Sequence, residues 1–155
     1  MQRKHPFTPE EFREIYSKVP RVSVDLVIQT PKGIVLTLRS LSSWNNLWHF
    51  PGSTILYRES AEDTVRRTAL EEAGISVNVK ECLGYIEYPS EQKQRGFGST
   101  ISLVFLCEIT GGTLAPNNEA EKIGVFPSLA ALPPNIIEEH RPLLKRFLPE
   151  NIRNF

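Results

Sequence analysis

Residues 51–75 read PGSTILYRESAEDTVRRTALEEAGI, and the order of turn, cap, periodic helix and stop within them decides the fold. Pro51-Gly52 fixes a tight backbone turn. Ser60-Ala61-Glu62-Asp63 opens a helix with a cap and an acidic first turn, and Gly74 closes it, so a helix is predicted over 60–73. Ala61, Val65 and Ala69 form an apolar stripe for packing, while Thr68, Glu71 and Glu72 share another sector of the same helix. Glu71 and Glu72 stand in the last turn, at the negative end of the helix dipole, where two carboxylates cost roughly a few tenths of a kcal/mol or more. A bound cation reverses that sign. Clustered carboxylates with few thiols or imidazoles suit a hard, oxygen-seeking ion, Mg²⁺ first and Mn²⁺ next, whose remaining shell is water and substrate phosphate oxygen.

Outward from this helix the pattern changes to strands. Val22, Val24, Leu26 and Ile28 alternate with Ser23, Asp25, Val27 and Gln29 over 21–30, and Pro31-Lys32-Gly33 turns that run into 34–39, which predicts a hairpin. Residues 41–52 read as a loop carrying both tryptophans. On the other side, 77–88 and 99–109 are β-branched and aromatic runs joined by a polar segment, 89–98, expected to be exposed and mobile. A short strand over 122–126 and a closing helix over 135–148 complete the pattern. Thr8-Pro9-Glu10-Glu11 starts a helix running to about residue 18. This order predicts an α/β fold with a mixed β-sheet between helices.

Bulk properties narrow the function. The 155 residues, 40% hydrophobic, suffice for one core, so residues 1–155 are expected to form a single domain. Lysine plus arginine equals aspartate plus glutamate at 18 each, so no overall field favours nucleic acid or an anionic membrane. No stretch reaches the ~20 apolar residues of a spanning helix, and a cytoplasmic location is the simplest expectation. Cys82 and Cys107 are expected to be small buried hydrophobes.

Read from residue 52 to 75, the chain resembles the Nudix box: glycine, five residues, glutamate, seven residues, then arginine-glutamate-aliphatic-x-glutamate-glutamate-x-glycine-aliphatic. Glu59, Arg67, Glu71, Glu72, Gly74 and Ile75 hold the register unbroken. Ser53 stands where the box has glycine, and Thr68 where it has the glutamate after arginine. The resemblance implies a Nudix-type α/β/α sandwich and a metal set of Glu59, Glu71, Glu72, the Ser53 carbonyl and Glu119. It further implies that Arg67 orients the glutamates, with catalysis assigned to Glu71, Glu72 and Arg67. Thr68 removes one carboxylate ligand, so fewer or weaker ions are expected. Phe12, Ile15, Pro20 and the run Val22-Ser23-Val24-Asp25, followed by Arg39, resemble more narrowly the GDP-mannose mannosyl hydrolase branch, which also lacks the first helix glutamate and attacks the sugar carbon. On that likeness Arg39 holds the terminal phosphate and Asp25 lines the same pocket. Ala120, however, stands where the branch has its histidine.

The expected partner is therefore a small-molecule nucleotide, with neither nucleic acid nor membrane, and with Tyr88 as a further substrate contact by stacking. Tyr85 and Tyr88 equally suit strand packing, and His49 suits a satisfied loop histidine. Arg39, Asp25 and Glu119 each also fit an ordinary surface charge. The N-terminal helix could pack on a second subunit to give a homodimer. Three functions remain open: a Mg²⁺-dependent hydrolase of a nucleoside diphosphate linked to another moiety, a sugar-nucleotide hydrolase acting at carbon, and a non-catalytic nucleotide-binding domain.

Overall fold

The structure is a computed structural model and describes residues 5–39, 43–116 and 120–152. Among the described residues four α-helices and seven strands follow one another in the order α1 (Pro9–Tyr16), β1 (Arg21–Thr30), β2 (Gly33–Arg39), β3 (Trp48–His49), β4 (Gly52–Thr54), α2 (Ala61–Ala73), β5 (Ile75–Glu87), α3 (Glu91–Arg95), β6 (Thr100–Gly112), β7 (Ala120–Phe126) and α4 (Arg141–Phe147). The hairpin holds: Thr30 faces Gly33 across the turn. Beyond it the two strands part. β1 takes β4 antiparallel and β6 parallel, with Asp25 opposite Gly52 on one side and Val104 on the other, while β2 takes β3 and β7. β5 pairs antiparallel with β6 and forms the sheet's edge. The sheet is mixed, as expected.

Strand alternation sorts β1 between two cores. Val24, Leu26 and Ile28 pack with Val65, Ala69 and Ala73 of α2 on one face. Val27, on the opposite face, packs with Phe50, Val104 and the C-terminal Ile136, Leu144 and Leu148. Both faces are thus covered by helix, the α/β/α sandwich, and Asp25 shares the face of Val27 by the period of two. Ser60 accepts from the Asp63 N–H at the start of α2, and Gly74 ends it at φ 70°. Glu11 and Thr8 form a capping box on α1.

Three expectations are corrected. The closing helix covers only Arg141–Phe147, because Pro142 lacks an N–H and fits only a first turn; ahead of it Ile136 bridges to Trp48 and residues 138–140 make a 3₁₀ turn. The polar segment 89–98 contains helix α3, with Glu91 fully buried. Cys82 is exposed on edge strand β5, whereas Cys107 is buried as expected, and that burial pushes its thiol up to about 12.

Candidate active site

Arg67 organises the helix side of the site. Its Nε and Nη2 donate to the two carboxylate oxygens of Glu59, each at 2.8 Å, and its Nη1 donates to Glu71 Oε2 at 3.3 Å. Nη2 also donates to the Thr54 carbonyl at 2.9 Å, tying α2 to β4. Such a forked, charge-assisted contact is the strong kind. Glu59 accepts further bonds from the Leu56 N–H (3.2 Å) and the Thr64 hydroxyl (2.7 Å). With Arg67 as the chief cause, the Glu59 carboxyl is held at about 2, and Arg67 is shifted upward in return.

The two departures from the box meet each other. Ser53 Oγ lies 2.5 Å from Thr68 Oγ1, and Thr68 donates to the Thr64 carbonyl at 2.7 Å, so the Ser53 hydroxyl is the donor between them. Thr68 is wholly buried, while Glu71 and Glu72 are partly exposed. Glu72 Oε2 accepts the Gly52 N–H at 3.2 Å. Gly52 is required there: a Cβ would stand 2.4 Å from Asp25 Oδ1 and 2.6 Å from the Val24 carbonyl oxygen.

Beyond Gly52 and Ser53 opens a cavity of about 90 Å³. Asp25, Tyr88 and His140 form one of its walls through a directed chain of hydrogen bonds. The Phe50 N–H donates to His140 Nδ1 at 3.1 Å, which leaves the ring proton on Nε2. Nε2–H then donates to the Tyr88 hydroxyl at 2.5 Å, and Tyr88 O–H donates to Asp25 Oδ2. Burial lowers His140 to about 3, so the ring is neutral. Burial likewise raises Asp25, against the lowering effect of Tyr88, and is the first cause of the large upward shift of the Tyr88 phenol. His49, also on the cavity wall, shares its Nδ1–H with the Phe50 carbonyl at 2.6 Å, and burial takes it to about 3.

The lining is also cationic. Arg21, Arg39 and Arg95 line the cavity together with Trp44. Arg39 Nε donates to the Ser43 carbonyl at 2.9 Å. Arg21 donates to the Thr100 and Thr54 hydroxyls, at 3.1 and 2.8 Å, and lies 3.6 Å from Glu91.

Of the residues predicted from sequence, Asp25, Arg39, Ser53 and Tyr88 line this cavity, and Glu72 reaches its wall at Gly52. Glu59, Arg67 and Glu71 form the adjoining bracket. The Tyr88 hydroxyl is held by Asp25 and His140, and Tyr85 is 67% exposed. Glu119 lies outside the described residues. Among the described residues no three His, Cys, Asp or Glu side chains are placed to hold a metal ion. The donor set of Glu71 and Glu72 with the Ser53 carbonyl fits a cation only of the kind that keeps much of its shell as water and substrate oxygen, the habit of Mg²⁺.

A model of the NUDIX domain matches residues 19–147. The chain belongs to the Nudix hydrolase family. Relatives agree. An ADP-ribose pyrophosphatase of Methanocaldococcus jannaschii is 29% identical over 129 residues, covering 83% of this chain and 73% of that one. The low-salt glycan biosynthesis protein Agl8 of Haloferax volcanii is 37% identical over 79 residues, 51% of each chain, so the match spans about half the length of that relative. Among solved structures, a MutT NUDIX hydrolase from Burkholderia pseudomallei superposes with a TM-score of 0.74 at 23% identity, over 83% of this chain and 98% of that one. Among the described residues of this Nudix chain, no helix is long and apolar enough to cross a membrane.

Sequence reading missed His140, Arg21 and Arg95. By sequence pattern His140 falls within an amphipathic helix and Arg95 within a polar loop. The usable signal was Pro142, which forbids a helix through 138–142 and so frees His140 from a helical face.

Proposed function

We propose that this chain is a divalent-metal-dependent Nudix hydrolase that cleaves a nucleoside diphosphate linked to another moiety, with a sugar as the moiety of first choice. The observation that carries this reading is the bracket Glu59–Arg67–Glu71 beside Glu72, set against a cavity lined by Arg39 and Asp25. Support for the substrate class comes from the relatives, one named for ADP-ribose and the other for glycan biosynthesis.

Glu71, Glu72 and the Ser53 carbonyl are the residues that would hold Mg²⁺, with Mn²⁺ as a substitute and Glu119 as a further ligand. When bound, such an ion neutralises diphosphate charge and lowers the pKa of water. Arg67 fixes the carboxylate of Glu71, and Glu59 fixes Arg67, so Glu59 acts chiefly through its partner. Arg39 holds the phosphate farther from the ion, a role its planar fork suits. Asp25, its Oδ2 occupied by Tyr88, uses its other oxygen to accept from a substrate hydroxyl, and neutral His140 keeps Tyr88 turned toward it.

Incubation of the protein and Mg²⁺ with ADP-ribose and a panel of nucleoside diphosphate sugars in ¹⁸O-labelled water tests the reading. Label in a phosphate product is expected. Label in the sugar moves the chain to the carbon-attacking branch, and absence of turnover across the panel contradicts hydrolysis.

A further inference from the structure

The cavity wall formed by α3 is not explained by the bracket on α2. Arg95 projects from this five-residue helix, and its guanidinium centre lies 5.1 Å from the Trp44 ring centroid. Arg39 lies 5.6 Å from the same ring. Trp44 itself is 5% exposed and held at φ 50°, a left-handed conformation that is costly for a bulky side chain. The strain is locked in from α3: the Trp44 N–H donates to Gln94 Oε1 and the indole N–H donates to Ser90 Oγ, both at 3.2 Å. Glu91 is buried beneath, 3.4 Å from Arg95 and accepting from Thr100 at 2.9 Å. Gly98 is packed so closely on Glu91 that a Cβ there would meet its carboxylate at 3.1 Å.

The result is two guanidiniums presented around one immobilised ring, both lining the same recess. Of the charged side chains lining that recess, three are arginines and one is Asp25. Its volume of about 90 Å³ falls well below the roughly 300–1,000 Å³ of a pocket for a whole drug-sized ligand. It suits one compact group. Two planar forks lining one recess match the tetrahedral oxygens of a phosphoryl group, which accepts from more than one direction.

We propose that Arg95 joins Arg39 beside Trp44 in a two-arginine station for one phosphoryl group of the substrate, the one farther from Glu71 and Glu72. This rests on the reading of the site as one for a diphosphate, and extends it to a residue outside the Nudix box and to a segment whose composition reads as an exposed loop.

The test is calorimetric titration of inorganic pyrophosphate into the full chain in EDTA at fixed ionic strength, which needs neither metal nor turnover. Pyrophosphate is expected to bind the native chain, and Arg95→Gln and Arg39→Gln each to weaken binding by about tenfold or more. Arg95→Lys, which keeps a cation beside Glu91 but loses the fork, is expected to fall between. Arg66→Gln serves as the control, since Arg66 is exposed on α2 and pairs with Glu62 and Asp63. Native-like binding by both Arg95 variants, an equal loss in the Arg66 variant, or no binding by the native chain would overturn the proposal. Arg95-dependent binding in a protein that turns over no nucleotide would uphold the station and reject the hydrolase reading, so the two fail separately.

Discussion

The hydroxyls of Ser53 and Thr68 lie 2.5 Å apart, and these are the two positions at which the chain departs from the Nudix box. A glycine and a glutamate have been replaced by a pair that satisfies itself. Thr68 is wholly buried and returns its own proton to the Thr64 carbonyl. The place of a box carboxylate is therefore filled by a neutral contact between β4 and α2, which leaves Glu71 and Glu72 as the box carboxylates on this helix.

That pairing predicts coupling. Ser53→Ala and Thr68→Val are each expected to cost about 1–2 kcal/mol, and the double variant less than their sum by about 0.5–1.5 kcal/mol, measured by denaturant unfolding in a double-mutant cycle. Thr68→Glu alone, which restores the box residue without the glycine, is expected to destabilise by about 3 kcal/mol or more by burying a charge against the Ser53 side chain. Ser53→Gly in the same chain is expected to recover part of that loss. Strict additivity would mean that the two positions changed independently.

Acid should loosen the Glu59–Arg67 contact. Glu59 sits at about 2 in the fold against its ordinary 4.5, so its contribution is complete above pH 4.5 and is lost as pH falls through that window toward 2. After solvent screening the shift corresponds to about 1–3 kcal/mol. Urea unfolding of Glu59→Gln is expected to show lower stability at neutral pH and a flatter profile between pH 4.5 and 2. A profile parallel to that of the native chain would show that Glu59 is not the group responsible.

The sequence made some of this legible and concealed the rest for physical reasons. The Arg67–Glu71 contact could be read from the sequence because the two residues are one helical turn apart and local spacing encodes it, whereas Glu59 was joined to them only through the resemblance to the Nudix box. The alternation of Val24, Leu26 and Ile28 likewise gave the strand that both cores share. His140 could not be placed so, because its partner Phe50 is 90 residues away and its approach depends on a 3₁₀ turn that packing sets. Glu91 looked like a surface charge. It is buried because Arg21 of β1 and Thr100 of β6 converge on it from outside its own helix, beside Arg95 one turn along. Burial of that kind belongs to topology, not to the spacing of residues along the chain.

The histidines predict a second pH window. His49 and His140 each fall to about 3 from an ordinary 6.5 because they are buried neutral. Between those values the unfolded chain binds protons that the folded chain does not, so stability falls as pH drops below 6.5, by up to about 1.4 kcal/mol per pH unit for each ring. Unfolding measured at pH 7 and pH 5 should show the loss, and His140→Gln should make it shallower while an amide still accepts from Phe50 and donates to Tyr88. An NMR titration that finds either ring protonating near 6.5 in the folded protein would contradict this.

The central claim is that Glu71 and Glu72 gather at the C-terminal end of α2 in order to hold a divalent cation. Electron paramagnetic resonance of Mn²⁺ titrated into the protein measures this without any substrate. The account predicts that the native chain and the exposed-helix control Glu62→Gln bind the ion alike, and that Glu71→Gln and Glu72→Gln each weaken binding by about tenfold or more. Mn²⁺ that remains free in the presence of the native chain, or that binds equally well when either glutamate is replaced, would contradict it.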